Sequence, residues 1–167
     1  TGTTWWTPTG TMAVAGGALR TTGPGVSVAY TTLAHGDVQV EADVQWLGNT
    51  SPGVLFRGVS DATFLYVAAE GSGSVIRLKK SEAGVDTVLV TVNEATRSGQ
   101  WFMLRVDAYA DLIRVYLDGH RILTHQLAGT DATTFDPAVA RRAGFRMNAP
   151  SAANVMRARR FVVTGGT

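Results

Sequence analysis

The chain contains no cysteine. Disulfide staples, thiolate metal centres and cysteine nucleophiles are therefore excluded, and the redox compartment is left open. Charge is sparse too: Asp, Glu, Lys and Arg make up 17% of the residues against 45% hydrophobic ones, the balance of a chain with a core rather than a disordered one. Proline is scarce at 5 residues beside 19 glycines, so the punctuation is that of many tight turns. No apolar run approaches the roughly 20 residues that a membrane-spanning helix needs, so no membrane insertion is expected. The opening Thr1-Gly2-Thr3-Thr4 has neither an initiating Met nor a basic and apolar signal region, and reads as a segment of a longer protein or a mature form. At 167 residues the length suits one domain with its own core, over 1–164, with 165–167 as the start of a linker to a neighbouring domain.

What is present is a period of two. In Val38-Gln39-Val40-Glu41-Ala42-Asp43-Val44-Gln45-Trp46 every even position is apolar and every odd one polar, so one face is buried and one is wet. Further strand-like runs are Thr11–Ala15, Val26–Thr31, Val54–Arg57, Phe64–Ala68, Val75–Lys79, Thr87–Val92, Phe102–Tyr109, Ile113–Leu117, Arg121–Gln126, Ala143–Asn148 and Ala158–Thr164. Turn signals separate them: Asn49–Gly53, Gly71-Ser72-Gly73, Glu82-Ala83-Gly84, Ser98-Gly99 and Asp118-Gly119, the last closing a two-residue hairpin turn. No amphipathic helix appears, and Asp136–Arg142 makes at most one turn. The expected class is all-β, a two-sheet antiparallel β-sandwich (jelly roll) with little or no helix.

The net charge is +2, with 13 Arg to 2 Lys, and it is unevenly spread. From Pro137 onward there are six Arg (141, 142, 146, 157, 159, 160) and no acid. One reading is a basic patch for an anionic glycan, nucleic acid or membrane surface; the favoured one is a solvated strand face, because the six are scattered rather than clustered, and no nucleic-acid partner is expected.

Several pieces in order resemble the concanavalin A-like lectin/glucanase superfamily, nearest to its laminin-G-like and levan-binding-type carbohydrate modules. They are Gly10–Leu19, Asp37–Val44, Pro52-Gly53-Val54-Leu55-Phe56-Arg57, Phe64–Val67, Gln100–Val106, Ile113–Gly119, Arg142–Arg146 and Arg160–Val163. The resemblance spans nearly the whole chain and implies a jelly roll, with Trp101, Phe56, Phe64 and Phe102 filling the space between sheets about 10 Å apart. It also implies a structural calcium in members with an acidic residue after the last-strand Phe. Here Val162 and Val163 follow Phe161, so no cofactor is expected.

Glu41-x-Asp43-x-Gln45 is similar to the catalytic strand of laminarinase-type glucanases, but Gln stands where the acid/base Glu would be and cannot donate a proton as an acid. No catalysis is expected. Arg57, Tyr66, Glu41 and Asp43 form the candidate ligand-binding set: a planar bidentate donor, carboxylates that accept sugar hydroxyls and a ring for the apolar sugar face, with Arg57 carried over by the resemblance. Strand alternation puts Arg57 on the face of Leu55. His35, His120 and His125 read as surface or turn histidines, and Trp5-Trp6 as either a sugar platform or edge packing. The expected function is a non-catalytic carbohydrate-binding or adhesion module of a larger secreted, surface or virion protein, its partner a glycan or cell-surface polysaccharide. The alternative is a structural or host-recognition domain of a phage tail or capsid appendage, which would be a homo-oligomer.

Overall fold

A computed structural model describes residues 6–9, 12–15, 18–48, 50–70, 74–151 and 156–165. In chain order the strands are β1 (Trp6–Thr9), β2 (Met12–Ala15), β3 (Ala18–Thr21), β4 (Gly25–Thr32), β5 (Val38–Trp46), β6 (Ser51–Gly58) and β7 (Phe64–Glu70). There follow β8 (Val75–Glu82), β9 (Val85–Val92), β10 (Trp101–Tyr109), β11 (Leu112–Leu117) and β12 (His120–Gln126). A short helix, α1 (Gly129–Thr134), precedes β13 (Arg142–Ala149) and β14 (Met156–Gly165). They form two sheets of seven strands, β1-β4-β13-β6-β7-β8-β9 and β12-β11-β10-β5-β14-β3-β2, with the register pairings antiparallel throughout. This is the expected sandwich, and no helix among the described residues is long and apolar enough to cross a membrane.

Every expected strand is present. Asp118 and Gly119, both at positive φ, close the β11–β12 hairpin as the Asp-Gly pair demands. Two strands come in addition. β3 has four residues, and β1 carries Pro8 at a sheet edge, the place where a strand tolerates a missing N–H. The expected turn at Asp136–Arg142 is there, closed by Ala140 N–H donating to Asp136 O at 2.8 Å, with α1 just before it.

The core lies between the sheets and follows the alternation. Val38, Val40, Ala42 and Val44 of β5 meet Val54 and Phe56 of β6, Leu65 and Val67 of β7, and Phe102, Leu104 and Val106 of β10. Two rings depart from expectation. Phe64 lies on the opposite face of β7, and Trp101 pairs with outward-facing Gln45 and is only partly buried. Trp46, Phe135 and Phe145 take their place in the core. Trp5, Asn49, Gly71–Gly73 and the last two residues lie outside the described residues, and with them the Trp5-Trp6 platform, the start of the Asn49–Gly53 turn signal, the whole of Gly71-Ser72-Gly73 and most of the linker.

Gly144 in β13 is required by close approach: a Cβ there would stand 2.0 Å from the Ala29 carbonyl oxygen and 2.6 Å from Tyr30 Cα. Gly144→Ala should destabilise by about 3 kcal/mol or more, a fall in Tm of roughly 6–12 °C for a domain of this size. Gly165→Ala, where a Cβ meets nothing within 4 Å, should stay within about 0.5 kcal/mol of the parent. Thermal melts of the two, if indistinguishable, would refute this account of the β4–β13 contact.

Candidate functional site

The first sheet is buried on both faces at its centre: every residue of β7, and all but the first of β6, is buried. On its outer face Val28, Tyr30, Leu55, Phe64, Tyr66 and Ala68 make a second apolar cluster, separate from the core. Cross-strand register builds it, since Leu55 stands opposite Tyr66 and Gly144 opposite Tyr30. Long polar side chains roof it. The Arg142 guanidinium lies 4.5 Å from the Tyr30 ring centre and donates to Asp61 Oδ1 at 2.7 Å, and the Tyr30 hydroxyl donates to the same oxygen at 2.7 Å. The Arg146 guanidinium lies 4.5 Å from the Tyr66 ring centre and donates to Asp86 at 2.5 Å. Further along, Glu70 accepts from Arg77 at 2.7 Å and from Lys79 at 3.0 Å.

Beside this roof opens a cleft of about 340 Å³, lined by Val26, Val28 and Phe64 below and by Asp61, Ala62, Ser81, Gly84 and Arg146 around it. Two loops flank it, 59–63 between β6 and β7 and the β8–β9 turn at Ala83-Gly84. An apolar floor with a few convergent polar groups is the ordinary make-up of a small-ligand site. The Asp61 side chain is half exposed, and the bonds from Tyr30 and Arg142 both fall on its Oδ1. Among the described residues no bond falls on its other oxygen.

Burial holds the Tyr66 hydroxyl well above the ordinary phenol range, against the pull of Arg146, so this ring stays neutral. Burial, and then the bond to Asp61, raises Tyr30 as well. For Glu70, burial pushes the pKa up, but the bonds from Lys79 and Arg77 outweigh it and hold the carboxyl below its usual value.

The four residues expected to form a binding set are not brought together. Tyr66 is on the outer face of the first sheet. Glu41 and Asp43 are on the outer face of the second, bound to Arg160 at 3.2 and 3.1 Å. Arg57 is on neither face. The β6–β13 ladder shifts register between the Gly144–Leu55 and Arg142–Gly58 pairs, and Arg57 sits at φ 49, which breaks the alternation and turns the side chain into the interior. There it is fully buried and donates to Gly36 O at 3.2 Å, Phe135 O at 2.9 Å, Asp37 Oδ1 at 2.9 Å and the Ala110 carbonyl. Asp61, Arg142, Arg146 and Asp86 were missed. The arginines stood in the C-terminal run, but nothing marks Asp61 except its place in a short loop before a strand. Among the described residues no three His, Asp or Glu side chains gather as a metal would need.

No family model and no curated protein matches the sequence. Solved structures do match in fold. The carbohydrate-binding module CBM66 from Bacillus subtilis is similar at TM-score 0.80 with 17% identity, over 98% of this chain and 96% of that one. A Bacillus subtilis protein of unknown function with a galectin-like fold is similar at 0.71 and 14%, over 95% and 88%. The Crh5 transglycosylase is similar at 0.67 and 13%, over 98% and 79%. The chain therefore has the lectin/glucanase-type jelly roll that its sequence resembles.

Two predictions test these assignments. Arg57→Met removes the donor from three carbonyls and one of the two donors from Asp37 Oδ1, and should reduce stability by about 3–5 kcal/mol in urea unfolding. Unchanged stability would return Arg57 to the candidate contact residues. The depressed Glu70 carboxyl contributes stability that is complete above the ordinary carboxylate value and is lost as pH falls through the lower folded value. Melting temperatures from about pH 6 to about pH 3 should fall less steeply for Glu70→Gln than for the parent, and parallel curves would refute the linkage.

Proposed function

We propose that this domain is a non-catalytic carbohydrate-binding module of a larger secreted or surface protein, with its ligand in the cleft on the outer face of the first sheet. The observation that carries the reading is the pairing, in one recess, of an apolar floor with a half-exposed carboxylate already fixed by two donors. A sugar ring has the matching chemistry: an apolar face for exposed Val26, with Val28 and Phe64 packed beneath it, and hydroxyls for Asp61. Because Arg142 and Tyr30 hold Asp61 in place, little side-chain entropy is lost on binding. The fold likeness to a carbohydrate-binding module and to a galectin-like protein supports the same class.

Hydrolysis is disfavoured by the second sheet. Its Glu41 and Asp43 are occupied by arginines, and Gln45 stands where a proton donor is needed and gives its Nε2 hydrogen to Gly99 O at 2.6 Å.

A screen against neutral glycans should find a ligand whose affinity falls at least tenfold in Asp61→Asn and in Ala62→Trp, which fills the cleft, and is unchanged in Glu41→Gln. Binding that survives both cleft variants would move the site elsewhere, and hydrolysis lost in Glu41→Gln would replace the reading with an enzyme.

A further inference from the structure

The C-terminal arginines are divided between the two outer faces. Arg142 and Arg146 roof the first-sheet cluster, while Arg157, Arg159 and Arg160 lie on β14 in the second sheet. Arg159 and Arg160 are neutralised by Asp43 and Glu41. Arg157 is not. Its direct cross-strand partner is Arg20 on β3, both are exposed, and among the described residues neither forms an ion pair with a carboxylate. Directly opposed side chains of an antiparallel pair have Cβ atoms about 5 Å apart, where like charges repel. The ladder thus sets two arginine side chains side by side, with no carboxylate paired to either among the described residues.

The row does not stop there. Arg157 stands opposite Gln45 of β5, and Gln45 opposite Trp101 of β10. Gln45 is only 9% exposed, and its Oε1 has no donor among the described residues. The Arg159 guanidinium lies 4.1 Å from the Trp101 ring centre. Across β3, β14, β5 and β10 the row spans about 14 Å, the footprint of a chain segment rather than of a single ion.

We propose that this row is a second binding surface, for an acidic polysaccharide bearing carboxylate or sulfate groups, separate from the first-sheet cleft and independent of what that cleft binds. Arg20 and Arg157 take the acidic group, for which the planar guanidinium fork is suited. Trp101 supplies an apolar surface, which a sugar ring can use and a bare anion cannot.

The test uses the intact domain with polygalacturonate and dextran sulfate as the carboxylate and sulfate probes, and unsubstituted dextran as the neutral control. Polyanion affinity should fall at least tenfold in Arg20→Gln/Arg157→Gln and weaken with added salt, while the response to dextran is the same in the variant and the parent. Arg114→Gln/Arg121→Gln removes the same charge from the other end of the sheet and should change affinity less than twofold. The first double variant relieves a repulsion, so its Tm should not fall, and this guards against misreading an unfolded sample. Equal loss in both double variants would show binding to net charge alone and overturn the site. So would a polyanion affinity indifferent to Arg20 and Arg157. Single-stranded DNA bound through the same two arginines more tightly than either glycan would overturn the assignment to a polysaccharide.

Discussion

One end of the sandwich is closed by a single buried charge. The Arg57 guanidinium reaches Gly36 and Asp37 ahead of β5, Ala110 in the β10–β11 turn and Phe135 after α1. A strand of the first sheet is thereby tied to a turn of the second and to the segment that leads back into β13. Burial opposes the charged form of Arg57, and Asp37, Asp111 and Asp136 pull the other way. Breaking such an arrangement is expensive because the carbonyls it bonds lose their donor and the buried ion pair with Asp37 is broken. It also requires a left-handed backbone at a non-glycine residue, a strain of about 1–3 kcal/mol that persists only where the surroundings over-determine it. Gly36 shares in this closure: a Cβ would stand 2.3 Å from the Ala140 carbonyl oxygen, so the turn at 136–140 packs directly on the loop that Arg57 holds.

The same residue shows where a sequence stops being legible. Period-two alternation located the strands because a half-buried strand must write its environment into every second residue. It placed Val38–Trp46 to the residue. Alternation carries no mark of a bulge, though, and one irregular residue reverses the face of every later residue in the strand. Alternation therefore sent Arg57 to the outer face beside Leu55, while the chain turned it inward. Tyr66, expected beside Glu41 and Asp43, is buried in the outer-face cluster, and its neighbours are Arg146 and Lys79 from non-adjacent parts of the chain. Those pairings are set by strand order, which local pattern does not encode. Phe64 and Trp101 differ for another reason: the family resemblance implies core positions for both, but the register of β7 and β10 puts them on outer faces.

Aromatic rings give several of the arginines a structural use. Four guanidinium groups lie over aromatic rings: Arg142 on Tyr30, Arg146 on Tyr66, Arg105 on Tyr116 and Arg159 on Trp101. A planar group that stacks on a ring while bonding a carboxylate edgewise can cover apolar surface and stay hydrated at its rim. Lysine offers only a point charge. Three of these arginines also pair with an acid within the fold, Asp61, Asp86 and Asp43, and Arg105 with Asp107 makes a fourth. The charge of the fold is thus largely taken up in holding its own faces rigid.

The two faces then differ for a geometric reason. On the first sheet the stacked tyrosines belong to a continuous apolar layer, so two fixed arginines leave a recess with an apolar floor between the loops. On the second sheet β5 and β10 alternate regularly, each ring is isolated among polar neighbours, and no second apolar layer forms among the described residues. A recess suits a compact neutral ligand that must be desolvated. An even polar row suits an extended charged one, held by contacts that remain partly wet and sensitive to salt. Surface chemistry of the two sheets, rather than the jelly roll they share, is what separates their capacities.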